Sequence, residues 1–263
     1  MSPYIFECRN KLELTPRQNE ILDFVVDQLK EIKKLDKHIR DLAIAGGFIV
    51  DAFYNINPSD LDVRYSITDE KGKLIPNCKC DYIRNLVNKT ELPNKYEVDL
   101  GNILESGFCP NNSILEKHLG VFSHHTDYIS QFILDYKGNI WANSDSFSAL
   151  INKEYEIRYA GFSVWTTFRG YEFYPLYAGF ILRGLGYVCK RDLSIGANYR
   201  MLLEQYPWIL ENLNLDETEK QKYANYFYKK VRSINNLKEL LKKHKIKNLT
   251  RIVDSMREVF RID

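Results

Sequence analysis

The sequence lacks any long hydrophobic run, and no apolar stretch approaches the roughly 20 residues that a membrane-spanning helix needs. Its first residues, MSPYIFECRNKLEL, carry charges where a secretion signal needs an uninterrupted apolar segment. The five cysteines are an odd number, widely scattered in a chain of 263 residues that is large enough to build a core without disulfides. We therefore expect a cytoplasmic protein with reduced thiols and no membrane contact.

Cysteine and histidine are too sparse for a common zinc motif. The gap in Cys78-Lys-Cys80 is shorter than the spacing that zinc knuckles use. Free thiols are the preferred interpretation, and a zinc site remains the alternative. Its candidate ligands would be Cys78, Cys80, Cys109, His118, His124 and His125.

The chain also lacks a strong net charge, since its formal value is only +2. Residues 216–263, however, hold thirteen Lys and Arg against seven Asp and Glu, so this segment is net +6 and residues 1–215 are net −4. Tyrosines and lysines alternate closely over residues 220–230. This pattern favours a polyanionic partner such as a single-stranded RNA end, although a buried aromatic face opposite a solvated lysine face would give the same sequence.

Local patterns predict a strand–turn–helix–strand arrangement near the N-terminus. Thr15-Pro16 and the helical spacing of apolar residues predict a helix over 16–34. The short apolar run 41–45 predicts a buried strand, which ends at a glycine pair and leads into a short helix. Residues 60–65 alternate apolar and polar side chains, which predicts a half-buried strand.

Asp60 and Asp62 therefore project from one face of the same strand. Two neighbouring carboxylates repel each other unless a cation lies between them or water solvates both. Oxygen-only ligands of this kind suit Mg²⁺ bound together with substrate phosphates. Gly46 and Gly47 would let backbone amides approach those phosphates, since glycine has no side chain to keep them away.

The segment Gly46-Gly47-Phe48-Ile49-Val50-Asp51, followed after eight residues by Asp60-Leu61-Asp62, resembles a motif of the nucleotidyltransferase superfamily. The resemblance is to the members with a DNA polymerase β-like palm, in the class of tRNA CCA-adding enzymes and bacterial poly(A) polymerases. Val50 stands where that family has arginine. The resemblance implies an α+β fold: a nucleotidyltransferase palm in residues 1–145, with a mixed or antiparallel sheet and flanking helices, then an α-helical neck and basic helical region in residues 146–263.

Two further segments resemble that family. Tyr96-Glu97-Val98-Asp99-Leu100 looks like the strand that carries a third carboxylate, for which we prefer Asp99 because its shorter side chain fixes an oxygen more tightly. Glu97 is the alternative. The resemblance implies catalytic carboxylates that hold Mg²⁺ or Mn²⁺, namely Asp60, Asp62 and Asp99 (or Glu97).

Residues 124–131 look like the family's Arg-Arg-Asp-Phe-Thr-Ile-Asn-Ala segment, with His124 and His125 in place of the arginines. Asp127 would meet a ribose hydroxyl or orient a neighbour, and Gln131 would read a base edge or cap a strand. The nucleotide-binding residues implied by the resemblance are Gly46, Gly47, Asp51, His125, Asp127 and Gln131.

The second half of the chain changes to helical spacing. Helices are predicted at 150–156, 172–183, 217–232, 237–244 and 249–259. Arg183-Gly184-Leu185-Gly186-Tyr187 resembles the end of the family's neck helices. The family's base-selecting Glu-Asp-x-x-Arg motif is not found, although Arg200 is a partial substitute, so the choice between ATP and CTP stays open.

The activity that the resemblance implies is transfer of a nucleoside monophosphate from an NTP to an RNA 3′ hydroxyl, with release of pyrophosphate. A nucleotidyltransferase of toxin or defence type, which modifies a protein or small molecule, is the alternative. A third hypothesis is an inactive relative that binds nucleotide or RNA. Retention of Asp60 and Asp62 argues against it, because two mutually repelling carboxylates then serve no purpose.

Overall fold

The computed structural model describes residues 4–75, 80–102, 127–157, 174–211, 213 and 215–262. The chain divides into two compact units. Unit 1 is Met1–His125 with Ile129–Leu150, and unit 2 is Thr126–Tyr128 with Ile151–Asp263. The domain boundary between residues 145 and 146 stays a prediction.

Unit 1 is built on a mixed sheet with helices beside it. In the described part of the unit, the strands have the order β1-β6-β5-β2-β3-β4, and every neighbouring pair is antiparallel except β3 with β4. Its elements are β1 (Ile5–Glu7), α1 (Pro16–Leu35), β2 (Ile39–Ala45), α2 (Gly47–Phe53), β3 (Asp60–Ile67), α3 (Cys80–Val87), α4 (Leu92–Lys95), β4 (Glu97–Asn102), β5 (Phe132–Asp135), β6 (Ile140–Asn143) and α5 (Ser144–Ile151).

The predicted first helix is confirmed, and its start follows from local chemistry. The Thr15 side chain accepts a hydrogen bond from the backbone of Gln18, whose own side chain accepts from the backbone of Thr15. This capping box satisfies two backbone donors that the first helical turn leaves without partners. Leu22, Val25 and Leu29 then recur at helical spacing and are buried, so α1 packs one apolar face into the core.

The strand predicted around Asp60 is also confirmed, and it runs to Ile67. Leu61, Val63 and Tyr65 are buried, so the alternate residues lie on the opposite face of β3. The parallel register places Asp60 opposite Glu97 and Asp62 opposite Asp99 on β4. Four acidic side chains are thereby brought to the start of two neighbouring strands.

Unit 2 is mostly helical. Its elements are β7 (Glu154–Tyr155), α6 (Tyr174–Arg191), β8 (Ser194–Ile195), α7 (Ala197–Glu211), α8 (Glu217–Lys230), α9 (Ile234–Lys243) and α10 (Leu249–Phe260). The last three helices confirm the prediction for the basic segment. Among the described helices of the whole chain, none is both long and apolar enough to cross a membrane.

The helix predicted at 150–156 is wrong. Helix α5 begins earlier, at Ser144, and ends at Ile151, and Lys153 then adopts a positive φ of 52° that a helix cannot contain. Glu154–Tyr155 instead pairs in parallel with Ser194–Ile195. The partner strand is distant in sequence, so the local spacing of apolar residues gave no sign of this pairing.

Close packing in unit 2 depends on Gly184 in α6. A Cβ at this position would come within 2.5 Å of the Tyr199 ring and within 2.6 Å of the Tyr155 ring. Both tyrosines are buried, and the Tyr199 hydroxyl donates to the carbonyl of Ile181. Any side chain at position 184 would therefore separate α6 from the tyrosines that pack on it.

Candidate functional site

The turn at Gly46 begins the candidate site in unit 1. Gly46 has φ 78° and ψ −135°, a backbone conformation that residues with a side chain rarely adopt. Its N–H donates to the carbonyl of Phe132 at 3.0 Å, which ties the turn to β5. A Cβ at Gly46 would lie 3.5 Å from Oδ2 of Asp62 and 3.7 Å from the carbonyl oxygen of Ser130. Glycine thus brings the backbone of the turn next to the Asp62 carboxylate.

The four carboxylates lie on adjoining strands. Neighbouring strands are separated by about 4.8 Å, so each register pair, Asp60 with Glu97 and Asp62 with Asp99, is close enough for electrostatic interaction. Asp60, Glu97 and Asp99 are exposed, whereas Asp62 is half-buried. The Ser59 hydroxyl donates to Oδ1 of Asp60 at 3.1 Å.

An arginine lies between two of these carboxylates. Nη2 of Arg64 is 3.1 Å from Oδ1 of Asp62, and Nη1 is 3.8 Å from Oδ2 of Asp99. Arg64 follows Asp60 and Asp62 on the same face of β3, so its position follows from the period of two. The Gly-Gly and Asp-x-Asp motif does not include Arg64, although the period of two already places its side chain on the face of Asp60 and Asp62.

The donor set fits a hard divalent cation in chemistry and register. All four groups supply carboxylate oxygens, which Mg²⁺ and Mn²⁺ accept. Within the part of the chain that the structure describes, no three acidic, histidine or cysteine side chains are gathered closely enough to hold a metal ion. Ion binding would therefore need the exposed carboxylates to rotate toward Asp62, and Arg64 would have to release or share Asp99.

Two predicted nucleotide-binding residues lie near this turn in the chain. Asp51 is buried on α2, which begins directly after Gly46. Gln131 is buried between Ser130 and Phe132, both of which approach Gly46. Oε1 of Gln131 accepts a hydrogen bond from the side-chain amide of Asn143 at 2.7 Å. Contact of either residue with a nucleotide stays a prediction.

Asp127 lies in unit 2 and is buried there. Its Oδ2 is 3.6 Å from Nε of Arg183, and its carboxylate raises the pKa of that guanidinium. Burial raises the pKa of Tyr155 and of Tyr187, the two tyrosines beside this pair. The ion pair therefore lies in a poorly solvated environment. Contact of Asp127 with a ribose hydroxyl stays a prediction.

Several candidate residues lie outside the described residues. These are His124 and His125, proposed to meet phosphate, and the zinc candidates Cys78, Cys109 and His118. The guanidinium of Arg200, the partial substitute for a base-selecting arginine, donates to the carbonyl of His244 at 2.7 Å. This contact stabilises the end of α9, since the last carbonyls of a helix have no partner within it.

No family model and no curated protein matches the sequence significantly. Solved structures do match. A CCA-adding enzyme in complex with CTP has a TM-score of 0.55 and 14% identity, covering 98% of this chain and 55% of the other. A tRNA-processing enzyme in an apo form has a TM-score of 0.55 and 12% identity, covering 88% and 60%.

A third match is a tRNA nucleotidyltransferase complexed with a primer tRNA and an incoming ATP analogue, with a TM-score of 0.55 and 13% identity. The alignment covers 85% of this chain and 62% of that one. The chain thus spans between 55% and 62% of the length of these three proteins. The α+β fold and its likeness to that of tRNA nucleotidyltransferases, predicted from the sequence, are confirmed.

Proposed function

We propose that this chain is a metal-dependent nucleotidyltransferase that transfers a nucleoside monophosphate from an NTP to an RNA 3′ hydroxyl and releases pyrophosphate. The observation that carries the proposal is the parallel register of β3 and β4. It puts Asp60 beside Glu97 and Asp62 beside Asp99, next to a turn whose Gly46 conformation favours glycine. The fold, which resembles that of CCA-adding enzymes, supports the same chemistry.

The carboxylates would hold Mg²⁺ or Mn²⁺ through Asp60, Asp62 and either Asp99 or Glu97. Such an ion, when bound, lowers the pKa of an attacking hydroxyl and offsets charge on the leaving pyrophosphate. Asp62 is half-buried beside the Gly46 turn, so its carboxylate is the best placed to fix the reacting groups. Gly46 and Gly47 would keep side chains away from the triphosphate, and since the Gly46 N–H donates to Phe132, the backbone amide of Gly47 would be the phosphate donor.

An RNA acceptor is supported by the charge of unit 2. Helices α8, α9 and α10 contain most of the basic residues of the net +6 segment 216–263. Lysines and arginines bind phosphates and release counterions, which favours a nucleic acid over a neutral substrate. ATP and CTP are both proposed donors, and the scattered cysteines favour a cytoplasmic location.

The test is incubation of the purified protein with Mg²⁺ and each α-labelled NTP in turn, with and without total RNA, followed by a denaturing gel. We expect label on RNA. Asp60→Asn should lower incorporation by about a hundredfold or more, because loss of a few kcal/mol of transition-state stabilisation has that effect. The matched control is Asp27→Asn, an exposed aspartate of α1 that pairs only with Lys30 among the contacts in the described residues.

The possible outcomes distinguish the three functions considered for this sequence. Label on RNA that disappears in Asp60→Asn and persists in Asp27→Asn would support transfer to an RNA end and would identify the nucleotide. Label on protein would indicate the toxin or defence type of acceptor instead. NTP binding without pyrophosphate release would indicate an inactive relative.

A further inference from the structure

We propose that Arg64 is a permanent cation beside the carboxylates of β3 and β4, where it positions Asp62 and competes with a divalent metal ion for Asp99. The inference rests on the proposed function, since it takes the carboxylates of β3 and β4 as the metal site. It concerns a residue that the Gly-Gly and Asp-x-Asp pattern does not include. It predicts how tightly the metal ion binds, independently of whether nucleotide transfer occurs.

Several contacts hold the Arg64 guanidinium in place. Nη2 donates to Oδ1 of Asp62 at 3.1 Å, and Nη1 donates to the carbonyl of Val63 at 3.3 Å. Nη1 also lies 3.8 Å from Oδ2 of Asp99. A guanidinium is planar with donors in a fixed fork, so it can address two carboxylates on two strands simultaneously. Only 18% of the Arg64 side chain is exposed, which agrees with a fixed rather than a freely solvated position.

Strand β4 provides space for the Arg64 side chain at Gly101. Gly101 is the register partner of Arg64. A Cβ at Gly101 would come 2.8 Å from Nη1, 3.0 Å from Cδ and 3.1 Å from Cζ of Arg64. The φ of Gly101 is not in the region that favours glycine. A side chain at position 101 would therefore displace the Arg64 side chain, whereas the backbone conformation itself does not favour glycine.

The charge of Arg64 also affects the two carboxylates electrostatically. Asp62 and Asp99 are register partners, so their charges repel unless a cation lies near both. Arg64 supplies that cation, and a guanidinium remains protonated throughout the pH range in which proteins fold. The same guanidinium repels an incoming divalent ion and lies 3.8 Å from Asp99, a carboxylate that the ion would also use. Arg64 thus stabilises the pair of carboxylates when no metal ion is bound, and it weakens metal binding.

The experiment measures Mn²⁺ affinity by isothermal titration calorimetry, without nucleotide or RNA. Removal of the Arg64 charge in Arg64→Gln should lower the Mn²⁺ dissociation constant by about tenfold, the effect of one nearby charge at a protein surface. Arg40→Gln is the matched control, because it removes the same charge from the start of β2. Asp62 of β3 pairs with Ala45, which lies at the other end of β2. Its dissociation constant should stay within about twofold of wild type.

Two more variants test position rather than charge. Gly101→Ala keeps every charge but displaces the Arg64 side chain, so its dissociation constant should fall between those of wild type and Arg64→Gln. Asp99→Asn should weaken Mn²⁺ binding by only about twofold in the wild type, because Arg64 lies beside Asp99 and offsets part of its charge. In the Arg64→Gln background the same change should weaken binding by about fivefold, since Asp99 is then released to the ion.

The outcomes distinguish this inference from the proposed function. If Asp62→Asn weakens Mn²⁺ binding while Arg64→Gln and Gly101→Ala match wild type, the role of Arg64 is wrong and the metal site stands. If Mn²⁺ binds more tightly to the same degree in Arg64→Gln and in Arg40→Gln, the effect of charge is general, and this result would also overturn the inference. Absence of Mn²⁺ binding by the wild type would overturn both.

Discussion

An arginine–aspartate pair lies in each unit, and the two pairs differ in their access to solvent. Arg64 and Asp62 are 3.1 Å apart on a strand face, where 38% of the Asp62 side chain is exposed. Arg183 and Asp127 are 3.6 Å apart in unit 2, where only 2% of the Asp127 side chain is exposed. The two pairs have the same chemistry in different surroundings.

Solvent access decides what can replace the arginine. Beside Asp62, water or a metal ion can take over when Arg64 moves, so breaking that pair costs little stability. Asp127 is buried away from water, and removal of one partner of a buried pair leaves the other charge uncompensated. The exposed pair is therefore suited to binding, and the buried pair is suited to holding unit 2 together.

Asp127→Asn should produce the largest effect on stability. The amide keeps the shape of the carboxylate but leaves Arg183 without its counter-charge beside Tyr187. We expect a loss of about 2 kcal/mol, below the usual 3–5 kcal/mol for a buried pair because 36% of the Arg183 side chain is exposed. Urea unfolding measures the loss, and Asp62→Asn is the matched control, for which a change below about 1 kcal/mol is expected.

The same variant tests the nucleotide role that the sequence predicts for Asp127. Asp127→Asn with unchanged unfolding but weaker NTP binding would contradict a structural role and favour contact with the nucleotide. A comparable loss of stability in Asp127→Asn and Asp62→Asn would remove the contrast between the two pairs.

The fold was predictable where its determinants are local. The Thr15-Pro16 start of α1 and the alternation in β3 are visible within a few residues of sequence. Helix α7 was not predicted, because Pro207 lies inside it and its ends carry no strong local signal. The pairing of β7 with β8 joins residues about forty positions apart, so nothing in either segment alone could show it.

Gly46→Ala should have the next largest effect, and it tests the turn beside the exposed pair. Alanine is strained at φ 78° and ψ −135°, so we expect a loss of about 1.5 kcal/mol in the urea unfolding free energy. The change in the turn should also weaken NTP binding by about tenfold, because the turn adjoins Asp62. Fluorescence titration with a labelled ATP analogue measures that affinity.

The control for this prediction is Gly72→Ala. Gly72 has a similar positive φ of 77°, and a Cβ there would meet nothing within 4 Å. This variant should lose about 1 kcal/mol of stability and keep NTP affinity. Equal weakening of NTP binding in both variants would show that backbone strain alone is responsible, and the assignment of the Gly46 turn to phosphate binding would fail.

The candidate site was predictable only in part. Asp60 and Asp62 could be placed on one face because the period of a strand is fixed. Glu97 and Asp99 became their partners only through the register of β3 and β4, which depends on the packing of the whole sheet. The roles of Arg64 and Gly101 follow from that same register, so no local pattern could reveal them.

The smallest predicted effect is a pH dependence of the stability of unit 2. Arg183 cannot cause it, since Asp127 raises the pKa of its guanidinium still further. Burial, and then the nearby cations Lys243 and Arg200, lower the pKa of His244. The unfolded chain therefore binds that proton more readily than the folded chain, so stability is full above the unfolded pKa of about 6.5 and is lost as pH falls below it. Between pH 7.5 and 5.5, wild type should therefore lose more unfolding free energy than His244→Gln in urea unfolding. Since all other titrating groups are shared, an identical loss in both proteins would show that this histidine does not contribute.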